Sequence, residues 1–353
     1  MTDVHGLFPH VRAYVPSILV PLALSASVLG VPAKAADFYQ GKNINIIVSY
    51  AAGGGYDLYS RTLARHFGNH ISGKPNIVVQ NMPGGGGLRA ANHVYSVGAK
   101  DGTVIAAASQ NIPLYQLLRS EGVQYDVAKF NWLGVIAASN SLVLTWKQSG
   151  IHSLEDAKRR EVSMAASGIA DDGWIIPKAM NALVGTKFKV INGFGGTAES
   201  NTALERGEVD GMARASYTGF KAQKPEWIKG NKITIITQVG FEKEPELPNV
   251  PLLLDLVSTK EARQIATVLT LPPATGYGHW VAPEVPAERV RLLRAAYDAT
   301  VKDPGFLTDA KKQNLDIRPK RAAEIEEIIK KATTTPSAIL DKAASIIEWK
   351  QSK

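Results

Sequence analysis

The chain contains no cysteine. That absence excludes disulfides, thiolate metal sites and cysteine nucleophiles, and it excludes a lipid anchor attached through cysteine. At 353 residues the chain is long enough for two domains, each with a core that needs no disulfide. Past the N-terminal region no segment approaches about 18 uninterrupted apolar residues, so no later membrane-spanning helix is expected. No G-x-G-x-x-G spacing and no Gly-Lys-Ser or Gly-Lys-Thr follows either glycine run, which excludes the common nucleotide signatures. A Gly-x-Ser-x-Gly elbow is also missing. His66 and His70 have the i, i+4 spacing of a zinc pair, but Gly68-Asn69 between them points to a fraying helix end. His279, ahead of Trp280, reads as a hinge or core histidine and not as a general base. Metal sites and cofactors are therefore not expected.

The formal charge is +8, spread along the chain, with its densest points at Lys158-Arg159-Arg160 and Lys311-Lys312. A nucleic-acid partner would want a basic stripe with interleaved aromatics, and none is present. Mild steering of anions is what the basic balance allows.

The N-terminus has His5, His10 and Arg12 ahead of an apolar stretch from Val15 to Val31, then Ala33-Lys34-Ala35 in the small-x-small pattern. That is the form of a cleavable secretory signal over residues 1–35, although Pro16 and Pro21 interrupt it; an N-terminal membrane anchor is the other reading. The signal implies a mature protein outside the cytoplasm.

Two glycine runs carry the most information. Ile44 to Tyr50 is an apolar run of strand length that meets Ala51-Ala52-Gly53-Gly54-Gly55-Tyr56-Asp57, with Arg61 one turn further on. Asn76 to Met82 meets Pro83-Gly84-Gly85-Gly86-Gly87 in the same manner. Glycine lets a backbone approach a ligand closely, and the free amides of a following helix favour an anion. The alternative is that both runs only turn the chain into a helix.

Strands are expected at 44–49, 76–81 and 104–109, with helices starting near Asp57, Gly87 and Ile112. This rhythm argues for a mostly parallel sheet covered by helices. Trp132 to Trp146 is either two strands or one strand crossing between domains, and a crossover is favoured. A second α/β unit follows, with strands at 162–166, 188–191, 210–214 and 233–238. From Pro286 onward the chain reads as helices at 286–301, 304–313, 322–333 and 336–348.

The two glycine runs, Lys100-Asp101-Gly102-Thr103, the Gly193 to Thr197 turn, the Pro248-Asn249-Val250-Pro251 loop and the Trp280 to Pro283 strand occur together in order. Over roughly residues 37–350 this set resembles the substrate-binding proteins of tripartite tricarboxylate transporters, the Bug receptors. The resemblance implies an α/β fold of the type II, Venus-flytrap periplasmic class with a helical C-terminal segment. It implies a first lobe over 36–138, a second over 139–279 and a helical return to the first over 280–353. A small organic acid would be the ligand, membrane transporter subunits the partners, and a monomer the working state. A sensory co-receptor would share the same residues, and a hydrolase would need a reactive pair in the cleft. The chain departs from the family pattern at Ala52, at Gln80, at Ser167 to Trp174 and at Thr197-Ala198-Glu199.

Ligands of open α/β sheets bind beyond the carboxyl ends of the strands. The candidate contacts are therefore Tyr50, Gly53, Gly54, Gly55, Tyr56 and Asp57; Ser109, Gln110 and Asn111; Ser167, Gly168 and Trp174; Gly195, Gly196 and Thr197; and Arg214. Glycine amides would hold a carboxylate, with the hydroxyls and side-chain amides completing its hydrogen bonds. Asp57 reads first as a helix-start residue paired with Arg61. Arg214 would hold a second carboxylate, or else pair with Asp171 or Asp172. Those two acids would suit a cationic group on the ligand, or else face solvent. Tyr56, Trp174 and Phe194 would form aromatic walls, or else pack in the core.

Overall fold

The computed structural model describes residues 38–169, 171–214 and 216–349. The expected signal lies outside them. The chain begins with β1 (Asn43–Val48), α1 (Gly55–Phe67), β2 (Asn76–Asn81), α2 (Leu88–Asn92), β3 (Val104–Ala107), α3 (Ile112–Leu117) and β4 (Asn131–Val135). A second unit follows: β5 (Ser141–Trp146), α4 (Leu154–Arg159), β6 (Val162–Ala166), α5 (Asp172–Val184), β7 (Phe188–Asn192), α6 (Thr197–Glu205), β8 (Gly211–Arg214), α7 (Tyr217–Gln223), α8 (Pro225–Lys229) and β9 (Ile233–Val239). The return comprises α9 (Lys260–Leu269), α10 (Leu271–Thr275), β10 (Gly278–Val281), α11 (Ala287–Thr300), α12 (Pro304–Lys312), β11 (Lys320–Arg321), α13 (Ala322–Thr333) and α14 (Ser337–Ile346).

Two sheets result. One has the order β11-β4-β10-β3-β1-β2 and the other β7-β6-β8-β5-β9. The expected crossover is two strands, β4 in the first sheet and β5 in the second, joined by residues 136–140. In β1 the side chains of Ile44, Ile46, Ile47 and Val48 are all buried. Both faces of this strand are therefore covered, as a parallel sheet with helices on each side requires. Ile44, Ile46 and Val48 pack with Leu63, Phe67 and Tyr297 on one face, while Ile47 packs with Trp132, Trp280 and Ile325 on the other.

The sheets are mixed, whereas the sequence rhythm pointed to mostly parallel ones. β10 runs antiparallel to β3 and β4, and β5 runs antiparallel to β8 and β9. The cause is topological: β4 leaves its sheet at the cleft end, so β5 enters the next sheet from that end, and β10 does the same on return. These two strands thus run against their neighbours.

The crossing is pinned. The buried Glu244 carboxylate accepts from Ser139 Oγ (3.0 Å) and from the Asn140 amide (2.8 Å), and it pairs with Arg318 from the helical return. The C-terminal segment also ties the halves together. The Ile347 carbonyl accepts from Trp174 Nε1 at 2.7 Å, while Trp349 stacks on Tyr115 and donates to Ser120 Oγ at 2.8 Å. No helix among the described residues is long and apolar enough to cross a membrane.

Candidate ligand-binding site

The carboxyl ends of the two sheets face each other across a cleft. On the first wall the parallel register of β1 and β2 brings Val48 beside Asn81, so Asn81 lies beneath the glycine loop that follows β1. Asp57, in the first turn of α1, is buried there. Its carboxylate accepts from the Gly53 amide (2.8 Å), Asn81 Nδ2 (2.9 Å) and Arg61 Nε (2.9 Å). Burial acts to raise the Asp57 pKa, but the bonds from Arg61, Gly53 and Asn81 outweigh it and hold the carboxyl below its usual range. Asn81 also donates to the Tyr50 carbonyl at 2.9 Å. Asp57 is the foundation of the loop, and its oxygens are consumed by the protein.

A row of tyrosines stands on this foundation. Ring centres lie 5.0 Å apart for Tyr50 and Tyr56, 4.8 Å for Tyr56 and Tyr277, and 4.1 Å for Tyr277 and Tyr59. The Tyr50 hydroxyl donates to Ser109 Oγ (2.8 Å), and the Tyr56 hydroxyl donates to the Gly276 carbonyl (2.9 Å) and accepts from the Gln110 amide (2.7 Å). Burial pushes the Tyr50 pKa up to about 12, so the phenol stays neutral. Gly55 is required by packing, since a Cβ there would lie 2.7 Å from the Tyr277 hydroxyl oxygen.

The second wall carries charge. Arg214, at the end of β8, is 6% exposed. Its guanidinium donates to Asn201 Oδ1 (2.7 Å) and Gln223 Oε1 (3.0 Å) and lies 5.2 Å from the Phe220 ring centre. Among the described residues it forms no ion pair. Burial pulls its pKa down to about 10, which still leaves it charged at neutral pH. Asp172 is 8% exposed and accepts from Ser141 Oγ at 2.6 Å. Burial, aided by the neighbouring Asp171 and partly offset by bonds from Ser141 and Asn111, lifts its pKa to about 6. Asp171 caps α5, accepting from the Trp174 amide (3.1 Å) and the Ser167 amide (2.8 Å).

Two adjoining spaces lie between the walls. The larger, about 850 Å³, is bounded by the 53–55 loop, the 195–199 loop and Arg214. The smaller, about 310 Å³, lies against Tyr115, Ser167, Asp171 and Asp172. Tyr50, Tyr56, Ser216 and Tyr277 border both. Each volume falls in the range of small-molecule sites.

Tyr50, Gly53, Gly54, Gly55, Tyr56, Gly195, Gly196, Thr197 and Arg214 all border the larger space, and Gln110, Asn111, Ser167 and Gly168 the smaller one. Ser109 and Asp57 lie behind the wall as supports. Trp174 is not in the cleft: α5 begins at Asp172, so residue 174 is already helical and its indole turns to the C-terminal segment. Phe194 packs against the core of the second lobe. The 195–199 loop already holds an anion of its own, because the Gly195 amide donates to Glu199 Oε2 at 2.5 Å. Tyr115, Ser216 and Tyr277 were missed. Tyr277 had a signal, since a chain returning between lobes must re-enter at the cleft.

The histidines take structural places. His66 and His70 contact Asp309 (3.2 Å) and Asp303 (2.9 Å), and no group of three metal-binding side chains occurs among the described residues. His279 is buried between Tyr297 (3.0 Å) and Ser60 (3.4 Å), and burial lowers its pKa to about 3. It is a neutral core histidine.

No protein-family model matches the chain. A UPF0065 protein of Cupriavidus necator, from the gbd 5' region, is 25% identical over 256 residues, 69% of this chain and 72% of that protein. A UPF0065 protein of Bordetella bronchiseptica is 23% identical over 296 residues, 82% of this chain and 81% of that protein. Among solved structures, a ligand-free TctC solute-binding protein from Polaromonas superposes with a TM-score of 0.64 at 19% identity, covering 87% of this chain and 99% of that one. The periplasmic binding protein BugD gives 0.63 at 18% identity, covering 89% and 100%. A Rhodopseudomonas palustris protein solved with adipate gives 0.62 at 18% identity, covering 87% and 98%. MatC of that organism, solved with malate, gives 0.60 at 18% identity, covering 87% and 99%. In sequence the chain is similar to the UPF0065 proteins, and it shares its fold with the TctC and BugD periplasmic binding proteins.

Proposed function

We propose that this protein is a periplasmic receptor that captures a small organic carboxylate between its two lobes and delivers it to a tripartite tricarboxylate-type membrane transporter. Arg214 carries the reading. A guanidinium that is 6% exposed, bonded only to neutral partners and set against a cleft of about 850 Å³, is a cation in want of an anion. Taking one out of water is costly unless an opposite charge joins it, and a ligand carboxylate would do so with bidentate geometry. Across the cleft, the first turn of α1 leaves backbone amides without intrahelical acceptors beside the same space.

In this mechanism the open form takes up its ligand on the glycine loop of the first lobe. Closure about the 136–140 crossing then adds Arg214 and the 195–199 loop, and water is excluded. Contacts made only in the closed state supply the free energy of closure. The membrane subunits read the closed shape. The protein acts as a monomer, exported by the signal at residues 1–35. The adipate and malate found in two proteins of this fold are of a size that the cleft would admit.

A thermal-shift screen of the mature protein against mono-, di- and tricarboxylates tests the reading. Ligand that binds the native state raises the melting temperature as RT ln(1 + [L]/Kd). A shift with one carboxylate class, with affinity falling about 30- to 100-fold in Arg214→Met, is the expected result. If no acid shifts the melting temperature, the receptor reading fails.

A further inference from the structure

The smaller space differs in chemistry from the larger one. Lysine, arginine and histidine are absent from its lining, while Asp171 and Asp172 both contribute to it. Four tyrosines, Tyr50, Tyr56, Tyr115 and Tyr277, complete its walls. Three of their hydroxyls are engaged by the protein: Tyr50 with Ser109 (2.8 Å), Tyr56 with Gly276 (2.9 Å) and Tyr115 with the Gly86 carbonyl (3.4 Å). Beside Gln110, Asn111, Ser167 and Ser216, the lining offers a ligand ring surface and carboxylate. Aromatic rings around an acid form a surface that attracts an ammonium group and repels an anion. A second carboxylate of a diacid would meet two acids here and no cation.

The adjoining space holds the opposite charge. Arg214 pairs with Leu142 across the β5–β8 ladder, so its side chain projects from the Leu142 face of the sheet. Successive strand residues alternate, so Ser141 projects from the other face, and Ser141 is the residue that holds Asp172. The buried cation and the buried acid thus flank the end of one sheet, on opposite faces. Ser216 and Tyr277 stand between them, bordering both spaces. Neither charge has an ionic partner among the described residues, so a ligand bearing both complementary charges would satisfy the two together.

We propose that the solute is an amino carboxylate, its carboxylate held by Arg214 and the α1 amides and its protonated amine held by Asp172, Asp171 and the tyrosine walls. This names the substrate class of the receptor reading above and rests on it. The raised pKa of Asp172 agrees, because a bound cation offsets the burial that lifts it to about 6.

Calorimetric titration of the wild-type mature protein decides the matter. The probes are ω-amino carboxylates from glycine to 6-aminohexanoate and the common L-α-amino acids. Each is matched with the carboxylate that lacks the amine and with the dicarboxylate of the same length. The expected result is at least one amino carboxylate that binds about tenfold or more tightly than both of its matched acids. In Asp172→Asn that ratio collapses toward one. Acids without an amine that bind as tightly as every amino acid overturn this inference and leave the receptor reading intact. Amino carboxylates that keep their preference in Asp172→Asn overturn the assignment of the amine to this acid. No binding by any probe overturns both readings.

Discussion

The two walls of the cleft each bury an aspartate, and they treat it in opposite ways. Asp57 of the first wall receives three bonds, one from the partly exposed Arg61, and is held in its charged form. Asp172 of the second wall is bonded by Ser141 and Asn111, stands next to another acid and is lifted to about 6. Arg214 repeats the pattern of the second wall as a buried charge with neutral partners. The first wall is a finished platform: its charges are neutralised, and its tyrosine hydroxyls are bonded. The second wall holds charge that its own structure leaves unbalanced. In the proposed receptor one surface is shaped by folding and the other is completed by the ligand.

Five substitutions would break or sharpen that contrast. The largest effect is expected from Asp57→Ala, which strands Arg61, Asn81 and the Gly53 amide. A loss of about 3 kcal/mol in denaturant unfolding is expected. A loss under about 1 kcal/mol would show that the platform does not depend on this acid.

Asp172→Asn should act in the other direction. In the unfolded chain the carboxyl titrates near its ordinary value of about 3.9, and in the folded chain at about 6. Between these values the folded state holds more protons, so stability falls as pH rises through this window and stays reduced above it. The variant should therefore gain about 2 kcal/mol over the ligand-free wild type at pH 7–8, and nothing below about pH 4. Melting curves at the two pH values check the sign. A variant less stable at both would contradict the reading of an unbalanced charge.

Gly55→Ala and Gly54→Ala separate packing from loop chemistry. A Cβ at Gly55 meets the Tyr277 hydroxyl oxygen at 2.7 Å, whereas at Gly54 the nearest neighbour is the Ala51 carbonyl oxygen at 3.6 Å. The first should cost about 1–2 kcal/mol and the second under about 0.5 kcal/mol in thermal unfolding. Trp174→Phe probes a residue outside the cleft. It gives up the 2.7 Å bond to the Ile347 carbonyl, at about 1 kcal/mol of stability, without changing ligand affinity.

Local order was legible in the sequence because periodicity is a local property. The spans 76–81, 162–166 and 322–333 were read with the bounds that the structure gives them. Strand direction was not legible, because the reversal of β5 and β10 follows from where the chain crosses between sheets. The glycine loops of the cleft could be read from composition. Tyr277 was signalled only by the chain's return to the cleft, since its neighbour Gly276 meets the Tyr56 hydroxyl across 220 residues of sequence. Trp174 was misplaced by helical phase, because the helix starts two residues before it. Asp172 read as either a ligand contact or a loop acid facing solvent; burial behind Ser141 excludes the second.

The central claim is that the ligand completes the charge of the second wall. Its most direct test is a crystal structure of the mature protein with the tightest-binding acid from the screens. The account predicts a carboxylate on the Arg214 guanidinium with N–O distances of about 2.7–2.9 Å, spanning to the glycine loop of α1. A ligand seated elsewhere, with Arg214 still bonded only to Asn201 and Gln223, would contradict it.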